Sequence, residues 1–243
     1  MKSRLLVGML LIIMALAGCT NDNVNDSKQK KQNEEKKQEI KVVEEKSYKY
    51  DGKFTYTAVI KNESKKTLNI NDLKINYVNE KDKVDENNVP TNVHVAPYIL
   101  KPGEKAYISA EALTDLTKFK NYDVKMTLPD IKPANDVMKL AVNKNSVKIN
   151  EDIQGHKDIE DDQVINIVGT VRNNTKKFAE YTMIGAGMYG KNHEFIGTAF
   201  GGSEGNLKPG DSRSFDLISP EIPQKELAKV KQFNVSATTY FNK

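Results

Sequence analysis

The chain has 243 residues, 29% of them charged, with 37 basic and 33 acidic side chains and a formal net charge of +4. So small a surplus excludes the electrostatic footprint of a nucleic-acid binder and gives no strong pull toward an acidic surface. A single cysteine excludes an intrachain disulfide, so stability must come from buried apolar area, for which two domains of about 95 residues suffice.

Taken in order, Lys2 and Arg4 form a basic start to Leu5–Leu16, a run without a charged or strongly polar side chain. Twelve residues reach only about 18 Å as a helix, against a hydrocarbon core of about 30 Å, so the run reads as the apolar region of a secretory signal and not as a permanent span. It ends in Leu16-Ala17-Gly18-Cys19, and Cys19 is the one cysteine of the chain. The ending resembles the lipobox of bacterial lipoproteins; an ordinary cleaved signal with an incidental cysteine is the alternative. The resemblance implies that a diacylglyceryl group joins the Cys19 thiol, that the Gly18–Cys19 bond is cut, and that Cys19 becomes the new N-terminus. Two acyl chains anchor stably where one is marginal. Residues 1–18 are then the signal peptide, and 225 residues with a net charge of +2 remain. The expected address is the extracytoplasmic face of the cell membrane, with the membrane as partner through Cys19. Thirty-four lysines against three arginines, with abundant asparagine and isoleucine, point to an AT-rich, Gram-positive source.

Residues 19–46 read as a charged tether. From Thr20 to Lys46 there are seven lysines, seven acids and no aromatic residue, too little apolar area to offset the ordering entropy. Its reach as a coil is about 30 Å. From Tyr48 the periodicity changes to two. Phe54, Tyr56, Ala58 and Ile60 alternate with Thr55, Thr57 and Lys61; Leu73, Ile75 and Tyr77 alternate with Lys74 and Asn76; Val124 and Met126 alternate with Asp123, Lys125 and Thr127. Such alternation predicts strands with one buried and one wet face. Turn signals fall at Asp51-Gly52, Glu63 to Lys66 and Pro102-Gly103, and the best helical candidate is one short segment near Ala112 to Lys120.

The pattern then returns. Val59 to Lys66 is echoed by Thr170 to Lys177, Leu100-Lys101-Pro102-Gly103-Glu104 by Leu207-Lys208-Pro209-Gly210-Asp211, and Leu116 to Val124 by Leu227 to Val235. Three landmarks in the same order predict a duplicated domain. The expected fold is all-β: two tandem antiparallel β-sandwiches, at 47–142 and 143–243, with Ser146 to Ile149 the first strand of the second. The landmarks Asn62, Tyr77 and Pro102-Gly103, then Asn173, Tyr189 and Pro209-Gly210, resemble the FxLYD-type Ig-like domains of bacterial lipoproteins and secreted proteins. Tyr77 is followed by Val78 and Tyr189 by Gly190, where that family usually has Asp. The resemblance implies an Ig-like sandwich and carries over no catalytic residue.

Motifs with chemistry in them do not assemble. Gly185-Ala186-Gly187-Met188-Tyr189-Gly190 fits a dinucleotide pattern, which needs a helix directly after it; Lys191-Asn192-His193 reads instead as a hairpin turn. Gly201-Gly202-Ser203-Glu204-Gly205 fits a nucleophile elbow, yet His94, His156 and His193 all precede Ser203, the wrong order. The histidines lack metal-ligand spacing, and the acids between Glu151 and Asp162 lack the order of a calcium loop. No catalytic residue, metal or cofactor is expected. Seven of the fourteen glycines lie from Gly185 to Gly205, beside Tyr181, Tyr189, Phe195 and Phe200. Two readings stand: a shallow docking surface for a partner, or bulges and tight turns in a twisted sheet. Lys65-Lys66 and Lys176-Lys177, at equivalent turns, are either solvated or in touch with anionic wall polymer or headgroups. The expected function is a membrane-anchored binding or interaction module, not an enzyme, facing a cell-envelope protein or polymer. A cell-envelope enzyme whose active site is non-contiguous is the alternative.

Overall fold

Period-two sequence becomes strand wherever the structure, a computed structural model, describes the chain. The described residues are 39–50, 53–79, 91–112, 122–127, 137–149, 164–203 and 205–240. The signal peptide, Cys19, most of the expected tether, the Asp51-Gly52 turn, the helical candidate beyond Ala112 and the acidic stretch from Glu151 lie outside them.

The first repeat holds β1 (Ile40–Tyr50), β2 (Lys53–Asn62), β3 (Leu68–Asn69), β4 (Lys74–Asn79), β5 (Thr91–Ala96), β6 (Ile99–Leu100), β7 (Lys105–Ala112) and β8 (Tyr122–Thr127). The second holds β9 (Val137–Lys139), β10 (Ala141–Ile149), β11 (Asn166–Arg172), β12 (Tyr181–Tyr189), β13 (Phe195–Ser203), β14 (Ser212–Ile218), the short helix α1 (Gln224–Leu227) and β15 (Gln232–Tyr240). All pairings among the described strands are antiparallel.

Both repeats use one strand order. The first has a sheet β1-β2-β7-β5 and a pair β4-β8; the second runs β10-β11-β14-β13-β12-β15-β9, with β13 and β12 joined by a hairpin. In the first repeat Phe54, Tyr56, Ala58 and Ile60 of β2 and Ala106, Ile108 and Ala110 of β7 point inward onto Leu68, Leu73, Ile75 and Tyr77. In the second, Ile167 and Val171, Phe215 and Leu217, and Ile184, Ala186 and Met188 close the equivalent core with Ile196, Leu207 and Leu227.

The echoed motifs form the same buckle twice. Asn62 donates from Nδ2 to the carbonyls of Lys66 (2.7 Å) and Leu100 (3.0 Å) and accepts at Oδ1 from Ser64 N–H (2.9 Å) and Oγ–H (2.8 Å). Asn173 donates to Lys177 (2.8 Å) and Leu207 (2.9 Å) and accepts from Thr175 N–H (3.0 Å) and Oγ1–H (2.7 Å). The Pro-Gly turns lock onto them: Gly103 N–H reaches Asn62 O at 2.8 Å, and Gly210 N–H reaches Asn173 O at 2.7 Å. Gly103 and Gly210 have φ of 79° and 88°, the left-handed conformation that favours glycine. The repeated motif is a structural clasp.

Two boundaries move. β1 begins at Ile40, so residues 40–46, expected in the tether, are folded. Their Ile40-Lys41-Val42 alternation matches β2 until a bulge between Val42 and Glu44 shifts the register. The strand expected at Ser146 to Ile149 begins earlier, at Ala141, and is preceded by β9, which pairs with β15.

Candidate functional site

The glycine-rich stretch lies in β12 and β13, and the face it presents is filled by the chain's own first repeat. On β2 the side chains of Thr55 and Thr57, opposite the core, were expected to be wet. Instead Thr55, Thr57, Val59 and Ser109 are 3%, 0%, 0% and 1% exposed, and Tyr107 is buried as well. Val59 and Tyr107 cluster with Tyr189 and Phe195 of the second repeat, flanked by Val43 and Phe200. The first-repeat sheet is therefore covered on both faces.

Glycine makes the approach possible. A Cβ on Gly185 would stand 2.8 Å from Ala96 Cβ and 2.9 Å from the Ala96 carbonyl oxygen; one on Gly187 would stand 2.9 Å from Tyr107 Cε1. Backbone meets backbone and ring there, a use of strand glycine that sequence alone does not separate from a bulge.

The β1 bulge supplies the polar half of the seam. An extra residue in one strand reverses which side chains face which way. Val42 lies opposite Ile60, on the core face, whereas Glu44, Lys46 and Tyr48 lie opposite Val59, Thr57 and Thr55, on the seam face. Tyr48 joins the core cluster of the second repeat and donates from its hydroxyl to Ile196 O. Lys46 Nζ bonds Glu194 (3.2 Å) and Glu226 (3.1 Å), and Glu226 also takes Lys229 at 2.8 Å. Tyr189 donates to Glu44 at 2.8 Å, Thr198 Oγ1 to Ile108 O at 3.0 Å, and Glu221 N–H to Glu111 at 3.2 Å.

Burial sets the protonation behaviour of the seam. It pushes the Tyr107 hydroxyl up to about 12, with the Glu44 charge adding, and pushes Tyr48 up to about 12 against the opposing Lys46 charge. Tyr189 is raised by burial and by its bond to Glu44. For Lys46 burial works against the charge, yet the carboxylates of Glu226 and Glu194 hold its ammonium above the usual lysine range. Lys229 and Lys46 together hold Glu226 below the usual carboxylate range against burial.

Of the four aromatic residues expected on a partner surface, Tyr189 and Phe195 are buried in the seam and unavailable to a partner. Phe200 lies at the edge, stacked on His94 with centroids 5.7 Å apart. Tyr181, at the start of β12, is 59% exposed beyond it. Gly185 to Gly190 belongs to β12 and its hairpin, with His193 at φ 58° in the turn, and Ser203 ends β13. Among the described residues no three His, Cys, Asp or Glu side chains are grouped to hold a metal, and no helix is long and apolar enough to cross a membrane. Glu44, Lys46, Tyr48, Tyr107 and Glu226 were missed as seam residues. The signal for the first three was the Ile40/Val42 alternation inside the charged run.

Comparison with protein-family models and with curated proteins finds no match for the chain.

Proposed function

We propose that the protein is a lipid-anchored extracytoplasmic interaction module whose two sandwich-like repeats, of the Ig-like FxLYD type, act as one rigid body. The observation that carries the anchoring is Leu16-Ala17-Gly18-Cys19 after twelve apolar residues, with Cys19 the single thiol. The interaction reading is supported by the repeats being fused along a buried seam, which leaves a stiff all-β scaffold whose outer faces and turns are the parts free to recognise something. Binding surfaces on loops and faces of a rigid scaffold are the common arrangement. Metabolic labelling with a fatty-acid probe tests the anchor: the wild type is expected to be labelled and Cys19→Ala to be unlabelled, and equal labelling refutes it. Crosslinking on intact cells tests the interaction. Capture of an envelope protein or polymer is expected, and the absence of any captured species refutes that half.

A further inference from the structure

The duplication provides an internal control on which face is free. Thr170 and Ser214 of the second repeat hold the places of Val59 and Tyr107 in the first. The first pair is buried under β12 and β13; in the second pair Ser214 is exposed and Thr170 half-buried. The same sheet face is therefore a seam in one repeat and open in the other.

The open face carries a built irregularity. The register of β10 against β11 jumps from Asn143–Thr170 to Lys148–Val168, five steps on one strand against two on the other, so residues 144–147 arch off the ladder. The arch is pinned: Ser146 Oγ donates to Asn143 O at 2.8 Å and accepts from Thr170 N–H at 2.8 Å, while Asn143 Oδ1 accepts from Asn145 N–H at 3.2 Å. Between arch and sheet lies a cleft of about 430 Å³ whose lining includes Asn143, Lys144, Asn145, Thr170, Arg172 and Ser212. Two cations line it, and among the described lining residues there is no carboxylate. In the first repeat the matching cation, Lys61, sits 3.7 Å from Glu63. In the second repeat Asn174 stands where Glu63 would, and the described residues give neither Arg172 nor Lys144 an ion pair. The nearby Asp211 carboxylate is engaged by Lys208 N–H at 3.2 Å.

We propose that this cleft binds a phosphate group carried on a polyol or sugar, with the Arg172 fork and the Lys144 ammonium meeting the anion. A guanidinium matches phosphate oxygens two at a time, and an ammonium adds a point charge. Thr170, Ser212, Asn143 and Asn145 line the remaining volume, which exceeds a bare phosphate and falls in the range of small-molecule sites. The proposal deepens the interaction-module reading by naming a ligand class, and it does not depend on the lipid at Cys19.

The test uses the full chain carrying Cys19→Ala, so that no acyl group reports in its place. Three probes are titrated: inorganic phosphate, a soluble poly(glycerol phosphate), and phosphatidylglycerol vesicles against phosphatidylcholine vesicles. Binding of the soluble polymer, weakened about tenfold by Arg172→Gln and partly restored in Arg172→Lys, is expected, because one charge-assisted pair is worth about that factor. Lys144→Gln is expected to weaken it less, and Lys61→Gln not at all. Binding confined to phosphatidylglycerol vesicles with the same dependence on Arg172 supports the phosphate chemistry and assigns it to a headgroup. Binding of inorganic phosphate alone, binding of no probe, or binding that Arg172→Gln and Lys144→Gln leave unchanged overturns the proposal. Both residues are exposed, so unaltered melting of the variants separates a lost site from a lost fold. Failure here with fatty-acid labelling intact would leave the anchoring standing.

Discussion

Replacing the clasp asparagines measures the duplication energetically. Asn62 and Asn173 are each 0% exposed and each makes four side-chain hydrogen bonds of 2.7–3.0 Å. Asn173→Ala removes all four. Leu207 O keeps the Ala179 N–H at 2.9 Å, so it is not orphaned. The Lys177 carbonyl and Thr175 groups lie near the surface, where water replaces the amide. Each bond then costs its net worth of about 0.5–1 kcal/mol and not a full desolvation penalty, which gives about 2–4 kcal/mol per clasp. For a chain of this size that corresponds to a fall in Tm of about 4–16 °C. Asn62→Ala should cost the same within about 0.5 kcal/mol, because the bonds match one for one. Asn173→Asp adds a sign. The carboxylate would face two carbonyl oxygens, so its folded pKa must lie above its unfolded value, and its penalty should shrink as pH falls. Chemical denaturation with far-ultraviolet circular dichroism at pH 7 and pH 4.5 checks all three. A loss below about 1 kcal/mol in either alanine variant, or a larger loss for Asn173→Asp at the lower pH, would refute the reasoning.

Gly185→Val should force β12 away from Ala96 and cost about 1–3 kcal/mol through overpacking, splitting one unfolding transition into two, whereas Tyr181→Ala should leave a single transition; a Gly185→Val protein that melts in one step at the wild-type midpoint rules this out. The phenols of Tyr48 and Tyr107 are raised to about 12, so the stability they contribute is complete below about pH 10 and lost as pH climbs through 12; tyrosinate absorbance should lag in the folded protein, and Tyr107→Phe should flatten the alkaline loss. Glu226 is held low, so its contribution is present above the ordinary carboxylate pKa and lost as pH falls through its depressed value; Glu226→Gln should flatten the acid limb of the stability curve, and an unchanged limb would remove the Lys46–Glu226 pair as a seam contact.

Local period was legible in the sequence; what covers a face was not. Phe54, Tyr56, Ala58 and Ile60 announced β2 and its core side because alternation is a property of the strand itself. Thr55 and Thr57 were read as wet because threonine suits either environment: each is small enough to pack, and Thr57 satisfies its hydroxyl on Lys46 O at 3.2 Å. Their burial depends on a surface more than a hundred residues away. The bulge at Val43 concealed β1 for a related reason. It breaks the period at the point where Glu44 and Lys46 begin, so a strand with a charged seam edge looks like a charged tether. The clasps were legible as position and as turn type, since Pro-Gly carries its own geometry; the amide network of Asn62 and Asn173 needed the fold to bring Leu100 and Leu207 beside them.

The glycine-rich stretch shows how one residue pattern serves two ends. A surface of small residues beside aromatics permits docking wherever it occurs, and here the docked object is the sheet formed by β2 and β7 of the same chain. Head-to-tail contact between like units propagates only where each unit presents the same face, and a different face stops it. The second repeat presents a different one: Tyr107 gives way to Ser214, Val59 to Thr170 and Ser109 to Asp216, each at the same place in the ladder. The exchange of Tyr and Val for Ser and Thr removes the apolar anchors a further repeat would need. It also leaves the arch of β10 and the guanidinium of Arg172 open to solvent, so the exchange that sets this face apart from the seam is the one that keeps the proposed cleft accessible.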